Sequence, residues 1–240
     1  MVFQVKSPGK LFAKALLLAV LSSQAYAQTK VHYEPTLASL NQHPLPQWYA
    51  DAKLGIFIHW GLYSVPGWAP LSHPDHDFRN IDYIKNNPYA EWYYNVMRID
   101  GSPTQAYHKE HYGANYNYYN FAPVFDQESM KWKPEQWAGI FRDAGAKYVV
   151  LTTKHHEGFC LWDTKFTDYK APNSPCGKDL LRPMVDAFRA EGLKVGFYYS
   201  LIDWHHPDFV IDTGHPPALQ ANAVALNKSR HMPRYAEYMR

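Results

Sequence analysis

Three short apolar runs, each closed by a cluster of histidine, aromatic and acidic residues, limit what this chain can fold into. The first is Lys53-Leu-Gly-Ile-Phe-Ile-His59-Trp60. The second is Ala146-Lys-Tyr-Val-Val-Leu-Thr-Thr153, followed by Lys154-His155-His156-Glu157. The third is Leu193-Lys-Val-Gly-Phe-Tyr-Tyr-Ser200, followed by Leu-Ile-Asp203-Trp204-His205-His206. Continuous runs of this length suit strands covered on both faces, as in a parallel sheet. Helical patterns lie between them. Residues 134–144 place Trp137, Ile140, Phe141 and Ala144 on one face, opened by Pro134 and stopped by Gly145. Residues 180–191 place Leu181, Val185 and Phe188 inward, opened by Asp179 and stopped by Gly192. Further helices are predicted over 88–99, over 103–112 and from Met232 onward. Strand alternating with helix is the rhythm of βαβ units, and the polar clusters fall where (β/α)8 barrels and open α/β sheets keep their sites.

Residues 1–27 read as a secretory signal: Lys6, Lys10 and Lys14, an apolar run from Ala15 to Leu21, then Ala25-Tyr26-Ala27 before Gln28. The run is shorter than the roughly 20 residues that cross a bilayer. Export to a periplasmic or extracellular space (lysosomal in an animal) is therefore expected, with no membrane span. Residues 28–47 read as an irregular lead-in, and 48–240 as the domain that carries the strand and helix patterns. In an oxidising compartment Cys160 and Cys176 have the option of pairing, although two cysteines alone do not decide it. Asn227-Lys228-Ser229 is an N-glycosylation acceptor pattern in a eukaryotic host. The formal net charge is only +2, and three of the lysines lie in the signal, so the body offers no electrostatic reason to bind nucleic acid. No glycine-rich phosphate loop follows any strand, which disfavours a nucleotide cofactor.

Five histidines, His59, His155, His156, His205 and His206, reach toward one rim in this reading. They lack metal-ligand spacing, and adjacent residues at a strand end point to opposite sides. No metal and no cofactor is predicted; a metal-dependent hydrolase is the weakest alternative. Neutral imidazoles read sugar hydroxyls, and Trp60, Trp68, Trp92 and Trp162 offer flat apolar faces. A ring-shaped neutral ligand also suits a chain that is 16% aromatic. Tyr107 to Tyr119 reads as packing rather than as a binding wall. Glycoside cleavage needs two carboxyl groups, and Glu91, Glu157, Asp163 and Asp203 are the candidates at the mouth. Taken alone, Asp203 is the choice for a nucleophile.

These same stretches carry a resemblance. Trp48 through Pro66, Glu91-Trp92-Tyr93, Phe121 through Asp126, Ala144 through Phe159, and Gly196 through Ser200 with Asp203-Trp204 resemble, in order, motifs of the α-L-fucosidases of glycoside hydrolase family 29. The resemblance implies a (β/α)8-like barrel and an exo-acting retaining hydrolase that removes terminal α-L-fucose from glycans or glycoconjugates. It implies that His59, Glu91, Trp92, His155, His156 and Tyr198 (rather than Tyr199) hold the sugar. It also implies a nucleophile at the end of a fourth strand, beyond Arg240, so that Asp203 takes a structural role and no catalytic residue is expected in this chain. Such a barrel takes about 250 residues, whereas three strands here use the sequence to Ser200. The chain is therefore expected to be the N-terminal part of the domain and inactive alone; the alternative is a non-catalytic fucose-binding remnant.

Overall fold

The computed structural model describes residues 32–71, 77, 80–173, 177–211 and 222–240. The signal sequence and Cys176 lie outside the described residues; Cys160 is a buried free thiol. The chain divides into a unit of residues 1–47 and a unit of residues 48–240. The described part of the first holds one short helix, α1 (Leu37–Leu40), capped by the Thr36 hydroxyl, which accepts from Ser39 N at 3.3 Å.

Helix α2 (Gln47–Ala52) leads into β1 (Gly55–Ile58), which pairs in parallel with β2 (Tyr148–Lys154), and β2 pairs in parallel with β3 (Lys194–Tyr199). The order β1-β2-β3 follows the chain, so each crossover returns to the next strand. This is the repeating unit of a (β/α)8 barrel. Between β1 and β2 run α3 (Ile81–Lys85), α4 (Tyr93–Val96), α5 (Pro103–Tyr112), α6 (Phe121–Ser129) and α7 (Pro134–Asp143). One helix, α8 (Leu181–Ala190), connects β2 to β3, and α9 (Ala223–Asn227) and α10 (Met232–Tyr238) follow.

Local chemistry sets these boundaries. Pro103 and Pro134 stand in the first turns of α5 and α7, where a missing N–H costs nothing. Asp179 satisfies the start of α8, its Oδ1 accepting from Leu181 N at 2.9 Å and Arg182 N at 3.0 Å. The helix predicted over 88–99 is instead a single 3-10 turn, Ala90–Trp92, and the one-turn α4. All four residues of α4 are buried, and the Val96 carbonyl is taken by Ile99 N and the Ser102 hydroxyl, which leaves no further turn to propagate. The same Ser102 hydroxyl then caps α5, accepting from Gln105 N at 3.0 Å. Periodicity did not single out α6 as a helix; there Phe121 and Phe125 are buried one turn apart.

Alternate strand residues Val149 and Leu151 are buried and join a core with Met184, Val185 and Phe188 of α8. The two flanking helices meet through Phe141 and Phe188, whose rings stack at 5.5 Å and 5°. Phe188 has no exposed surface. Phe188→Ala should therefore lower stability by about 3–5 kcal/mol, read as a lower urea midpoint with an unchanged slope.

Candidate functional site

The other strand face leads to the candidate site. His59 follows β1, and Tyr198 lies on β3 at the register position of Thr152. On β2 the pairing slips: Thr152 opposes Tyr198, yet Lys154 opposes Tyr199, leaving Thr153 as an extra residue. Such a bulge resets the alternation of side chains. Lys154 thereby turns to the face of Tyr199, with Nζ 4.7 Å from that ring. His155 falls on the face of Tyr198, ring centroids 5.7 Å apart. His59 lies 5.5 Å from His155 and 6.3 Å from Tyr198, ring to ring. The Thr152 hydroxyl bonds both the amide and the carbonyl of Trp60 and so ties the end of β1 to β2.

Glu91 and Trp92 arrive on the 3-10 turn. His59 Nδ1 lies 3.2 Å from Glu91 Oε1. Burial pushes the Glu91 carboxyl up, but the hydrogen bond from His59 and the charge of nearby imidazoles outweigh it and hold the group below its ordinary range. Trp92 stands edge-on to His156 at 5.7 Å and to Trp204 at 5.1 Å. His156 Nδ1 sits 2.5 Å from the Ser200 hydroxyl oxygen, whose own proton is directed to Ile202 O at 2.8 Å. His156 is thus the donor at Nδ1, and its Nε2 is a bare acceptor. Burial drives both imidazoles toward the neutral form, His155 to about 2 and His156 to about 4.

The structure therefore brings His59, Glu91, Trp92, His155, His156 and Tyr198 together at the C-terminal ends of parallel strands. His155 and His156 do not diverge as adjacent strand residues would. The strand has ended at Lys154, and the two rings lie 4.1 Å apart. His205 and His206 do not join them: His205 packs on Tyr169 at 4.3 Å, and His206 on Tyr238 at 4.5 Å. Trp60 belongs to an aromatic group with Trp132 and Phe125, Trp68 stacks on Tyr107, and Trp162 lies beside Tyr199. Among the described residues one set of possible ion ligands emerges, His59, Glu91 and His155, with donor atoms spread within 4.8 Å. A tetrahedral ion with bonds near 2 Å wants its ligand atoms roughly 3.3 Å apart, and Glu91 is already engaged with His59. No metal is assigned.

These positions sit within a wider match. The family model for Alpha-L-fucosidase covers residues 20–240. The chain belongs to the α-L-fucosidase family. It is 37% identical over 216 residues to the α-L-fucosidase of Dictyostelium discoideum, covering 88% of this chain and 41% of that protein. It is 35% identical to human tissue α-L-fucosidase, covering 82% and 38%. The crystal structure of Thermotoga maritima α-fucosidase in complex with fucose superposes with a TM-score of 0.65 at 46% identity, over 80% of this chain and 42% of that one. The chain spans about two fifths of the length of the curated relatives it matches. The barrel reading of the three strands rests on this superposition as well as on topology.

In this α-L-fucosidase-family chain two of the other candidate carboxylates, Asp203 and Asp163, are already committed. Asp203 is 1% exposed: its Oδ2 accepts from Lys154 Nζ at 2.8 Å, and its Oδ1 from the amides of His205 and His206 at 3.0 and 2.8 Å. Neither oxygen is free to attack a sugar. Asp163 is an exposed surface group paired with Lys170. Gly158 lies against the Asp203 carboxylate with φ of 85°; a Cβ there would stand 2.6 Å from Asp203 Oδ1. The 3-10 geometry of Glu91 and the β2 bulge escape sequence reasoning, since neither leaves a periodic trace.

Lys154→Met should cost about 3–5 kcal/mol by leaving Asp203 buried without a counter-charge. Adding Asp203→Leu should recover part of that loss in chemical denaturation. The histidines set a pH dependence of stability. A folded-state pKa depressed from 6.5 means that the unfolded chain binds the extra proton first. Stability should fall as pH drops below 6.5, down to about 4 for His156. His156→Gln should flatten that slope in urea titrations at stepped pH.

Proposed function

We propose that the cluster seats a terminal α-L-fucose residue, and that the whole protein is an exported, exo-acting retaining α-L-fucosidase acting on fucosylated glycans or glycoconjugates. The observation that carries this reading is the convergence of an ionised Glu91 with His59 and the neutral His155 and His156 beside the rings of Trp92 and Tyr198, in a chain of the α-L-fucosidase family. Carboxylate and imidazole nitrogens together recognise the diols of a pyranose, and the aromatic rings cover its apolar face. The exposed ring of Phe57, 4.8 Å from His59 and 5.7 Å from Tyr198, supplies an apolar patch for the methyl that distinguishes fucose from a hydroxymethyl sugar. Export is supported by the signal pattern of residues 1–27.

Retaining hydrolysis uses two carboxyl groups about 5–5.5 Å apart, one attacking the anomeric carbon and the other moving a proton at the leaving oxygen. Among the described residues the cluster offers Glu91 alone to a bound sugar, and Glu91 is held by His59. The described part of the site binds and orients; it does not supply the attacking pair.

Calorimetry on the folded chain tests the sugar assignment. L-fucose should bind saturably, and L-galactose, with its extra hydroxyl at the methyl position, more weakly. Glu91→Gln should weaken fucose binding about tenfold or more, as expected for a charge-assisted hydrogen bond. A folded chain that gives no saturable heat with fucose rules the proposal out.

A further inference from the structure

Beneath the sugar-facing residues lies an acid that this reading leaves unused. Glu157 is 1% exposed, and its Oε2 has no hydrogen-bond partner among the described residues. His155 Nδ1 is likewise buried and unpartnered, and it stands 4.0 Å from Glu157 Oε2. An orphaned buried donor or acceptor costs about 1–3 kcal/mol, so two such atoms facing each other call for a common explanation. A small turn of either side chain, or one bridging water, closes the gap. With Nδ1 turned to Glu157, Nε2 is the nitrogen left to meet a ligand.

We propose that Glu157 is a positioning residue that fixes the ring proton of His155 on Nε2, so that His155 meets a sugar hydroxyl as a donor while His156 meets its neighbour as an acceptor. The sugar clause rests on the proposed function; the proton placement does not. The neighbouring tautomer is set by the structure, because Ser200 leaves Nε2 of His156 bare. Glu157 sets the opposite one by donating its carboxyl proton to Nδ1. Two rings 4.1 Å apart then present one donor and one acceptor, the pair of polarities that adjacent hydroxyls on a sugar ring satisfy.

The surroundings hold Glu157 in its donating form. Burial pushes its carboxyl up to about 8, aided by Asp203 and Glu91 and opposed by its own backbone hydrogen bond and by Lys154. Tyr63, Tyr118, Tyr169 and Cys160 are its remaining titratable neighbours, and burial raises the three tyrosines well above their ordinary range and the thiol to about 12, so all four stay neutral. When Glu157 ionises, one proton leaves to solvent and its oxygen becomes an acceptor. The ring proton of His155 then moves to Nδ1, and Nε2 turns from donor to acceptor.

Nitrogen-15 histidine NMR on the folded chain decides this, with His155→Gln assigning the ring signals. The wild type at pH 6.5 should show a protonated Nε2 and a bare Nδ1 on His155, exchanging places as pH passes about 8. Glu157→Gln, whose amide also donates, should keep the first tautomer to high pH; Glu157→Leu should leave a mixture and weaken fucose binding about threefold to tenfold. A wild-type His155 protonated at Nδ1 at pH 6.5, or one whose tautomer neither changes as pH passes about 8 nor responds to Glu157→Leu, overturns the proposal. The latter result would mean that Tyr118 or Tyr169 serves Glu157. Should Glu157→Leu fail to fold, the comparison of wild type with Glu157→Gln across pH still decides. Because the spectra need no sugar, a failure of fucose binding is read separately.

Discussion

The ion pair of Lys154 and Asp203 is the interaction on which the site depends. Both groups are almost wholly removed from water, so each is tolerable only because the other is present. The pair joins the end of β2 to the loop after β3, and the Asp203 carboxylate also fixes the amides of His205 and His206. The loop it anchors contains Trp204, whose ring packs on His156 at 5.0 Å and on Trp92 at 5.1 Å. Three segments remote in sequence are thereby held in register by one charge pair. The pair's energetic contribution is secondary to the geometry it specifies, because an apolar substitute could not bind those amides.

Much of this was legible in the sequence. Three apolar runs gave three parallel strands, and the proline and glycine punctuation of residues 134–145 and 180–192 located α7 and α8 within a residue or two. The clustering of His59, Glu91, Trp92, His155, His156 and Tyr198 was named from motif resemblance, and the geometry shows how those residues meet. Residues such as Trp60 and Trp162 misled because a tryptophan after a strand looks the same whether it turns to a pocket or to a flanking helix. Trp60 turns toward α6 and α7, where Phe125 and Trp137 receive it.

What could not be read depends on counting across strands. A bulge adds one residue relative to a neighbour, and a single strand's own sequence does not reveal where that occurs. Without it Lys154 would fall on the face of Tyr198, and the cation would stand among the imidazoles instead of under Tyr199. The unaided choice of Asp203 as nucleophile failed for a related reason. An acid at a strand end is visible in the sequence, but the lysine that occupies it is fixed by packing 49 positions away.

The burial that keeps His155 and His156 neutral has a consequence for where such a protein can work. Two imidazoles on a surface would charge in a mildly acidic medium and reverse their polarity toward a hydroxyl. Here burial delays that charging, to about 4 for His156 and about 2 for His155, at a cost in stability as the medium acidifies. Acid therefore acts on whether the molecule persists rather than on what it recognises. A buried imidazole pair built this way keeps one hydrogen-bonding polarity across neutral and mildly acidic surroundings, and its lower limit of operation is a matter of endurance.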